Sequence, residues 1–354
     1  MNFLMYIRPR IVAVLVILLL SCKDDDSRSQ GTTPPPAENV FANPLLNSAP
    51  DPWVVQSGNW YYFTHTTGNS IRLYRTAEMH ELANADAKTI WSPPSTGMNS
   101  KHIWAPEIHF LRDRWYFYYA ADDGENKNHR MWVLENPAKD PFDGTWTDKG
   151  KLLLADDKWA IDGSPFEHNG QLYFIWSGWA GDVDVQQNIY ISKMSDPFTP
   201  EGERVVISMP TLDWETGSGS PYVNEGPQFI SHGDKIFIVY SAGGCWTDDY
   251  ALGLLTADSG SDLLDPASWT KTQTPVFTKN TDGQAFGPGH NGFFKSPNGE
   301  EDWIIYHANP SAGQGCGSNR SVRMQSFTWD ENGMPVFGKP IPLGQKIQTP
   351  AGDH

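Results

Sequence analysis

Five polar residues stand at the heads of five similar blocks: Asp51, Glu107, Asp162, Glu225 and His290. Carboxyl groups held close together cannot all ionise, because each charge raises the pKa of its neighbours. A pair split in this way offers one protonated and one ionised group at the same pH, which is what concerted general acid and base catalysis needs. One Asp-Pro or Asp-Gly alone reads as a turn former. Five polar heads in corresponding places imply a shared location and a function that tolerates their mutual repulsion.

The elements that must position them are legible as a repeat. Asp51-Pro52-Trp53 leads through Gly58-Asn59 into Trp60 to Phe63, and Pro106-Glu107-Ile108 leads through Arg112-Asp113 into Trp115 to Tyr119. Asp162-Gly163-Ser164 passes Asn169-Gly170 into Leu172 to Trp176. Glu225-Gly226-Pro227 passes Gly233-Asp234 into Ile236 to Tyr240, and His290-Asn291-Gly292 passes Asn298-Gly299 into Trp303 to Tyr306. A third β-like run follows in each unit, at Ile71, Met131, Ile189, Leu252 and Val322. The heads are spaced 56, 55, 63 and 65 residues apart. Three or four strands in each such unit is the signature of propeller blades, small antiparallel sheets that bury their faces against one another. The 15 Trp, 13 Tyr and 17 Phe, beside 32 Gly and 27 Pro, suit short strands and tight turns. The expected fold is all-β, a five-bladed β-propeller over residues 41–354; a β-sandwich gives no reason for a polar head on every unit.

In a propeller the innermost strands converge on one mouth, so segments after the second strands rim the opening. These hold Thr64 to Thr66, Ala121 to Asp123, Trp176 to Trp179, Ser241 to Trp246 and His307 to Asn309, with Trp104, Trp159 and Trp214 on the entering loops. Indoles among hydroxyls, amides and carboxylates suit a sugar, whose ring face stacks while its hydroxyls hydrogen-bond. Trp104, Trp179 and Trp246 are therefore expected substrate contacts. Cys245 and Cys316 fall in the same rim at similar offsets and could be bridged in an oxidising compartment.

Residues 1–21 read as a targeting segment, with Arg8 and Arg10 before the apolar run Ile11 to Leu20. Leu19-Leu20-Ser21-Cys22 resembles a bacterial lipobox, which implies lipidation of Cys22 and anchoring to a membrane. Lys23-Asp24-Asp25-Asp26 resembles the export signal of Bacteroidetes-type surface lipoproteins, so the expected location is extracytoplasmic, in the outer membrane or periplasm or at the cell surface. Residues 22–40 are polar and Pro-rich and read as a tether. Without Arg8 and Arg10 the chain carries 24 basic and 42 acidic residues, near −18, which argues against nucleic acid as a partner. No Gly-x-Ser-x-Gly elbow, His-Glu-x-x-His pair or phosphate loop occurs.

The blocks around Asp51-Pro52, Trp104-Ala105-Pro106-Glu107-Ile108, Ile161-Asp162-Gly163-Ser164, Asn224-Glu225-Gly226-Pro227 and Gly289-His290-Asn291 resemble glycoside hydrolase family 43, in that order and across the mature domain. The resemblance implies an inverting mechanism with Asp51 as general base, Glu225 as general acid and Asp162 as the carboxylate that raises and orients the acid. It also implies that His290 lies beneath the sugar near a hydrated calcium, that Arg323 approaches the base, and that no organic cofactor is needed. Glu107 has no assigned role. The phrasing from Lys101 to Phe110 and Val133 to Pro137 most resembles α-L-arabinofuranosidases, so a monomeric enzyme acting on plant cell-wall glycan is expected. A β-xylosidase, an endo-arabinanase and a non-catalytic glycan-binding lipoprotein are the alternatives; the related fructoside-cleaving clan is disfavoured because no Arg-Asp-Pro occurs.

Overall fold

The computed structural model describes residues 39–353. Cys22, the leader and most of the tether lie outside the described residues. A short strand β1 (Val40–Ala42) opens the described chain. A first antiparallel group follows: β2 (Trp53–Ser57), β3 (Trp60–Thr64), β4 (Ile71–Thr76) and β5 (Asp86–Trp91). The second comprises β6 (Lys101–Leu111), β7 (Arg114–Asp122), β8 (Arg130–Asn136) and β9 (Thr147–Lys151). The third is β10 (Ala160–His168), β11 (Gln171–Trp179), β12 (Gln186–Asp196) and β13 (Thr199–Ser208). The fourth is β14 (Tyr222–His232), β15 (Lys235–Ala242), β16 (Ala251–Asp258) and β17 (Thr270–Lys271). The fifth is β18 (Phe286–Lys295), β19 (Asp302–Asn309), β20 (Ser321–Trp329) and β21 (Pro335–Val336). Finally β22 (Lys346–Gln348) returns to pair antiparallel with β1. A two-residue parallel pairing of β12 with β14 joins the third and fourth groups into one eight-stranded sheet.

The all-β expectation holds, and the five repeat units are five antiparallel groups. Aromatic runs become second strands because both of their faces are covered: Trp115 to Asp122 of β7 are all buried. Apolar clusters fill the spaces between groups. Tyr118 meets Phe174 and Trp176; Ile175 meets Ile238; Phe237 meets Tyr306; Phe63 meets Trp303; and Leu73 meets Phe117. Tight turns fall where the sequence placed them. Asn169-Gly170 and Arg112-Asp113 each have two consecutive residues at positive φ, the conformation that matches the twist of a two-residue hairpin.

Candidate active site

Four of the five first strands reach the site through the same local device. In β6, β10, β14 and β18 one extra residue bulges out of the pairing with the second strand, between Trp104 and Glu107, Ile161 and Ser164, Glu225 and Gln228, and Gly289 and Gly292. The residue after each bulge's first member is left-handed: Ala105 (φ 40°), Asp162 (53°), Gly226 (56°) and His290 (49°). Asp51 (56°), ahead of β2, completes the series.

This register corrects the sequence alignment. The equivalent positions are Asp51, Ala105, Asp162, Gly226 and His290, while Glu225 stands one residue earlier and Glu107 two residues later. The proline following each of Asp51, Ala105 and Gly226 carries this register in the sequence itself. Glu107 is thereby turned away from the mouth into a buried network. There it receives hydrogen bonds from Gln228 Nε2 and pairs with His109 Nε2 at 2.9 Å.

Asp51, Asp162, Glu225 and His290 do come together, lining one cavity of about 350 Å³. Asp51 accepts a hydrogen bond from Arg320 Nη1 at 2.7 Å and faces the Nδ1 atoms of His290 and His307, each at 3.6 Å. Burial alone pushes the Asp51 carboxyl up. Arg320 above all, then His290, His307 and the hydroxyl of Thr66, outweigh it and hold Asp51 well below the usual carboxylate range. The Asp51 N–H donates to His307 Nδ1 at 3.1 Å, which fixes the backbone as well as the side chain.

Glu225 has the opposite environment. Burial, helped by the charge of Asp51, pushes its pKa up to about 7, against the pull of Tyr250 and Arg320. The Tyr250 hydroxyl donates to Glu225 Oε1 at 2.8 Å. Asp162 is raised well above its usual value, first by burial and then by the charge of Glu225, while it accepts the Gly226 N–H at 2.9 Å. Asp162 therefore grips the residue next to Glu225, and the two carboxyls titrate as a pair. His290 is buried, its pKa is lowered chiefly by that burial, and it lies against Gly226, where a Cβ would come within 3.3 Å of its ring.

The walls agree with the sequence in part. Trp104 lines the cavity and stacks on His129 at 4.1 Å. Trp246 also lines it, 43% exposed, beside the Cys245–Cys316 disulfide, which is formed. Trp179 does not line the cavity. It is buried behind Trp159, ring on ring at 4.8 Å, and Trp159 presents the aromatic surface instead. Trp214 packs against the core between the third and fourth groups.

Arg323, expected to approach Asp51, is not the arginine beside it. It is fully buried in β20, bonded to Ser321 Oγ and Ala308 O, with its pKa pushed down to about 10 by burial. Strand alternation explains this: Val322 and Met324 face the cluster with the first group, so Arg323 faces the other side. Arg320 sits ahead of the strand at the mouth and was missed, as was Tyr250, which no motif marks; Thr66 lies in the rim segment expected from the sequence and lines the cavity. For the metal expected beside His290, no cluster of three His, Cys, Asp or Glu side chains able to hold an ion occurs among the described residues. The carboxylates nearest His290 are already engaged, Asp51 by Arg320 and Glu107 by Gln228 and His109. The residues thus do not form a direct cation cage.

A cavity that keeps one carboxyl ionised and another protonated beneath indole walls has the equipment of an acid–base glycosidase. The chain belongs to the glycosyl hydrolases family 43, whose model matches residues 41–335. It is 38% identical to the extracellular exo-α-(1→5)-L-arabinofuranosidase of Streptomyces avermitilis, over 94% of this chain and 69% of the relative. It is also 38% identical to the enzyme of the same description from Streptomyces chartreusis, over 77% and 84%. A solved structure, an α-L-arabinofuranosidase from Lactobacillus brevis, superposes with a TM-score of 0.82 at 35% identity, covering 86% of this chain and 98% of that one.

Proposed function

We propose that this protein is an inverting α-L-arabinofuranosidase that removes arabinofuranosyl residues from plant polysaccharides such as arabinan, arabinoxylan or arabinogalactan. The observation that carries the reading is the opposed surroundings of two carboxyls in one cavity, Asp51 paired with Arg320 and Glu225 buried beneath Tyr250, which push their pKa values apart; relatives named for arabinofuranosidase activity support the substrate class. Asp51, ionised, takes a proton from a water whose oxygen bonds to the anomeric carbon. Glu225 gives its proton to the glycosidic oxygen as that bond breaks, and Tyr250 on Oε1 leaves Oε2 for the transfer. Asp162 orients Glu225 through the Gly226 N–H, and Arg320 keeps Asp51 ionised. Trp104, Trp159 and Trp246 bear the sugar rings, and His290 closes the floor.

The same proposal includes closure of the five groups into a five-bladed propeller. Its support is that β2 contacts β6, β6 contacts β10, β10 contacts β14, β14 contacts β18, and β18 contacts β2. Asp51 and Glu225 then belong to non-adjacent blades, which favours the roughly 6.5 to 9.5 Å separation of inverting enzymes over the about 5 Å of retaining ones. A calcium beside His290 would be held mainly by water, and the mechanism above runs on the chain's own side chains. The leader and Cys22 make the protein an exported lipoprotein in this reading, consistent with relatives described as extracellular.

Proton NMR of the first product from an aryl α-L-arabinofuranoside tests the reading. The anomer opposite to the substrate is expected, with turnover well above that of the aryl β-xyloside. Release of the same anomer removes the inverting mechanism and the role of Asp51; faster xyloside turnover removes the substrate assignment.

A further inference from the structure

We propose a second, non-catalytic binding site for a neutral oligosaccharide, built on Trp60 at the far end of the first group of strands; its ligand class rests on the glycan reading above. Trp60 is the first residue after the β2–β3 turn and pairs with Ser57. The residues in the same place in the other four hairpins are Arg114, Gln171, Lys235 and Asp302, each paired with the last residue of its first strand. All four are polar, as a hairpin end facing water requires. Only the first group puts an indole there, and that indole is 40% exposed. The residue that follows it, Tyr61, is buried like its counterparts Trp115, Leu172, Ile236 and Trp303, so the fold obtains its core contact from the next position and has no need of an apolar Trp60.

The ring is also held in place. The Arg75 guanidinium lies 4.8 Å from its centre and is itself pinned by Asp86 and Asp140. An indole immobilised by such a clamp offers flat apolar surface at little further entropic cost on binding. Beside it opens a cavity of about 560 Å³ lined by Gln56, Asn59, Glu78 and Asn298, with the Asp353 carboxylate buried behind them on His80. A stacking face with several planar hydrogen-bonding groups around it matches the two-sided chemistry of a sugar. The partly exposed Glu78 carboxylate disfavours an anionic chain. Six residues of extended chain separate this site from Asp51, roughly 20 Å at about 3.3 Å each, so a bound glycan there does not occupy the catalytic cavity.

Affinity electrophoresis of the full chain in gels containing arabinan tests the site, with Asp51→Asn preventing hydrolysis. The Asp51→Asn protein should be retarded, adding Trp60→Ala should weaken retardation at least tenfold, and adding Trp60→Phe should keep part of it. Gln56→Ala, which leaves the indole intact, should also weaken it and guards against a folding effect of losing Trp60. Trp60→Ala alone should hydrolyse an aryl α-L-arabinofuranoside at the wild-type rate. Equal retardation with and without Trp60, or none at all, overturns the proposal. Absence of aryl arabinofuranoside turnover alongside Trp60-dependent retardation sinks the catalytic reading and leaves this site standing.

Discussion

Replacing Glu225 by Gln should remove a pH dependence from the stability of the fold, independently of any assay of catalysis. In the folded protein Glu225 is pushed from 4.5 up to about 7, with burial the leading cause. Between these two values the folded state holds a proton that the unfolded chain has released. Stability therefore falls as pH rises through this window, by about 1.4 kcal/mol per pH unit, and is flat below 4.5 and above 7. Summed over the window the loss is about 3 kcal/mol. Glu225 keeps a partial opening to the cavity, and screening there brings the expected figure to about 2 kcal/mol. Gln cannot ionise, and it also relieves Asp162 of a neighbouring charge, so the difference belongs to the pair. Urea unfolding of wild type and Glu225→Gln at pH 4 and pH 8 measures it. The variant should gain about 2 kcal/mol on wild type between the two conditions, because Asp51 and the groups outside the Glu225–Asp162 pair titrate in both proteins. Parallel pH profiles would show that Glu225 is not held protonated by its site and would refute the acid assignment.

The remaining predictions concern chemistry and anchoring. With an activated phenolate leaving group Glu225→Gln should lose far less activity than on arabinan, whereas Asp51→Asn should lose it on both, because water must still be activated; kcat on the two substrates separates the cases, and the reverse pattern exchanges the roles. Wild-type kcat/KM should fall as pH rises through about 7, where Glu225 loses its proton, and a profile flat to pH 9 contradicts this. Arg320→Met should shift the acid limb of that profile upward and cut turnover at least about tenfold, while Arg323→Met should act on stability and leave the limb in place. Fatty-acid labelling should tag the wild type and not Cys22→Ala; equal labelling removes the lipid anchor.

Strands and turns were legible in the sequence because alternation and hairpin residues are local signals, and runs such as Trp115 to Tyr119 have few other uses. The three carboxyls were legible through their motifs. What failed was register. A bulge inserts one residue without a residue type of its own, so counting from strand to strand set Glu107 and Glu225 level with Asp51 although neither is. Arg320 and Arg323 are three residues apart in one short motif, and only the strand boundary at Ser321 decides which reaches Asp51. Trp179 and Trp159 are likewise indistinguishable in composition. Which of two stacked rings faces the cavity depends on the packing of β10 against β11, a property of tertiary contact.

The bulge explains why the heads carry chemistry at all. A regular strand would send successive side chains to the two faces of its sheet, into the apolar clusters between neighbouring groups. One extra residue in the left-handed conformation breaks that alternation and turns a side chain along the first strand's end instead. For Asp51, Asp162 and His290 this conformation costs on the order of 1 kcal/mol each relative to glycine. At the fourth place glycine takes the left-handed position, and the carboxyl of the cavity, Glu225, stands at the residue before it. Gly226 there meets two needs: it adopts the left-handed conformation without strain, leaving room for the His290 ring that a Cβ would crowd at 3.3 Å, and its N–H reaches Asp162. Glu225 and Asp162 are thus coupled through the backbone of Gly226, held without strain, while Asp51 is itself the strained residue, its N–H bound by His307. In the proposed mechanism, a Glu225 placed off the strained position turns its free Oε2 to the leaving group while Asp162 holds the neighbouring backbone.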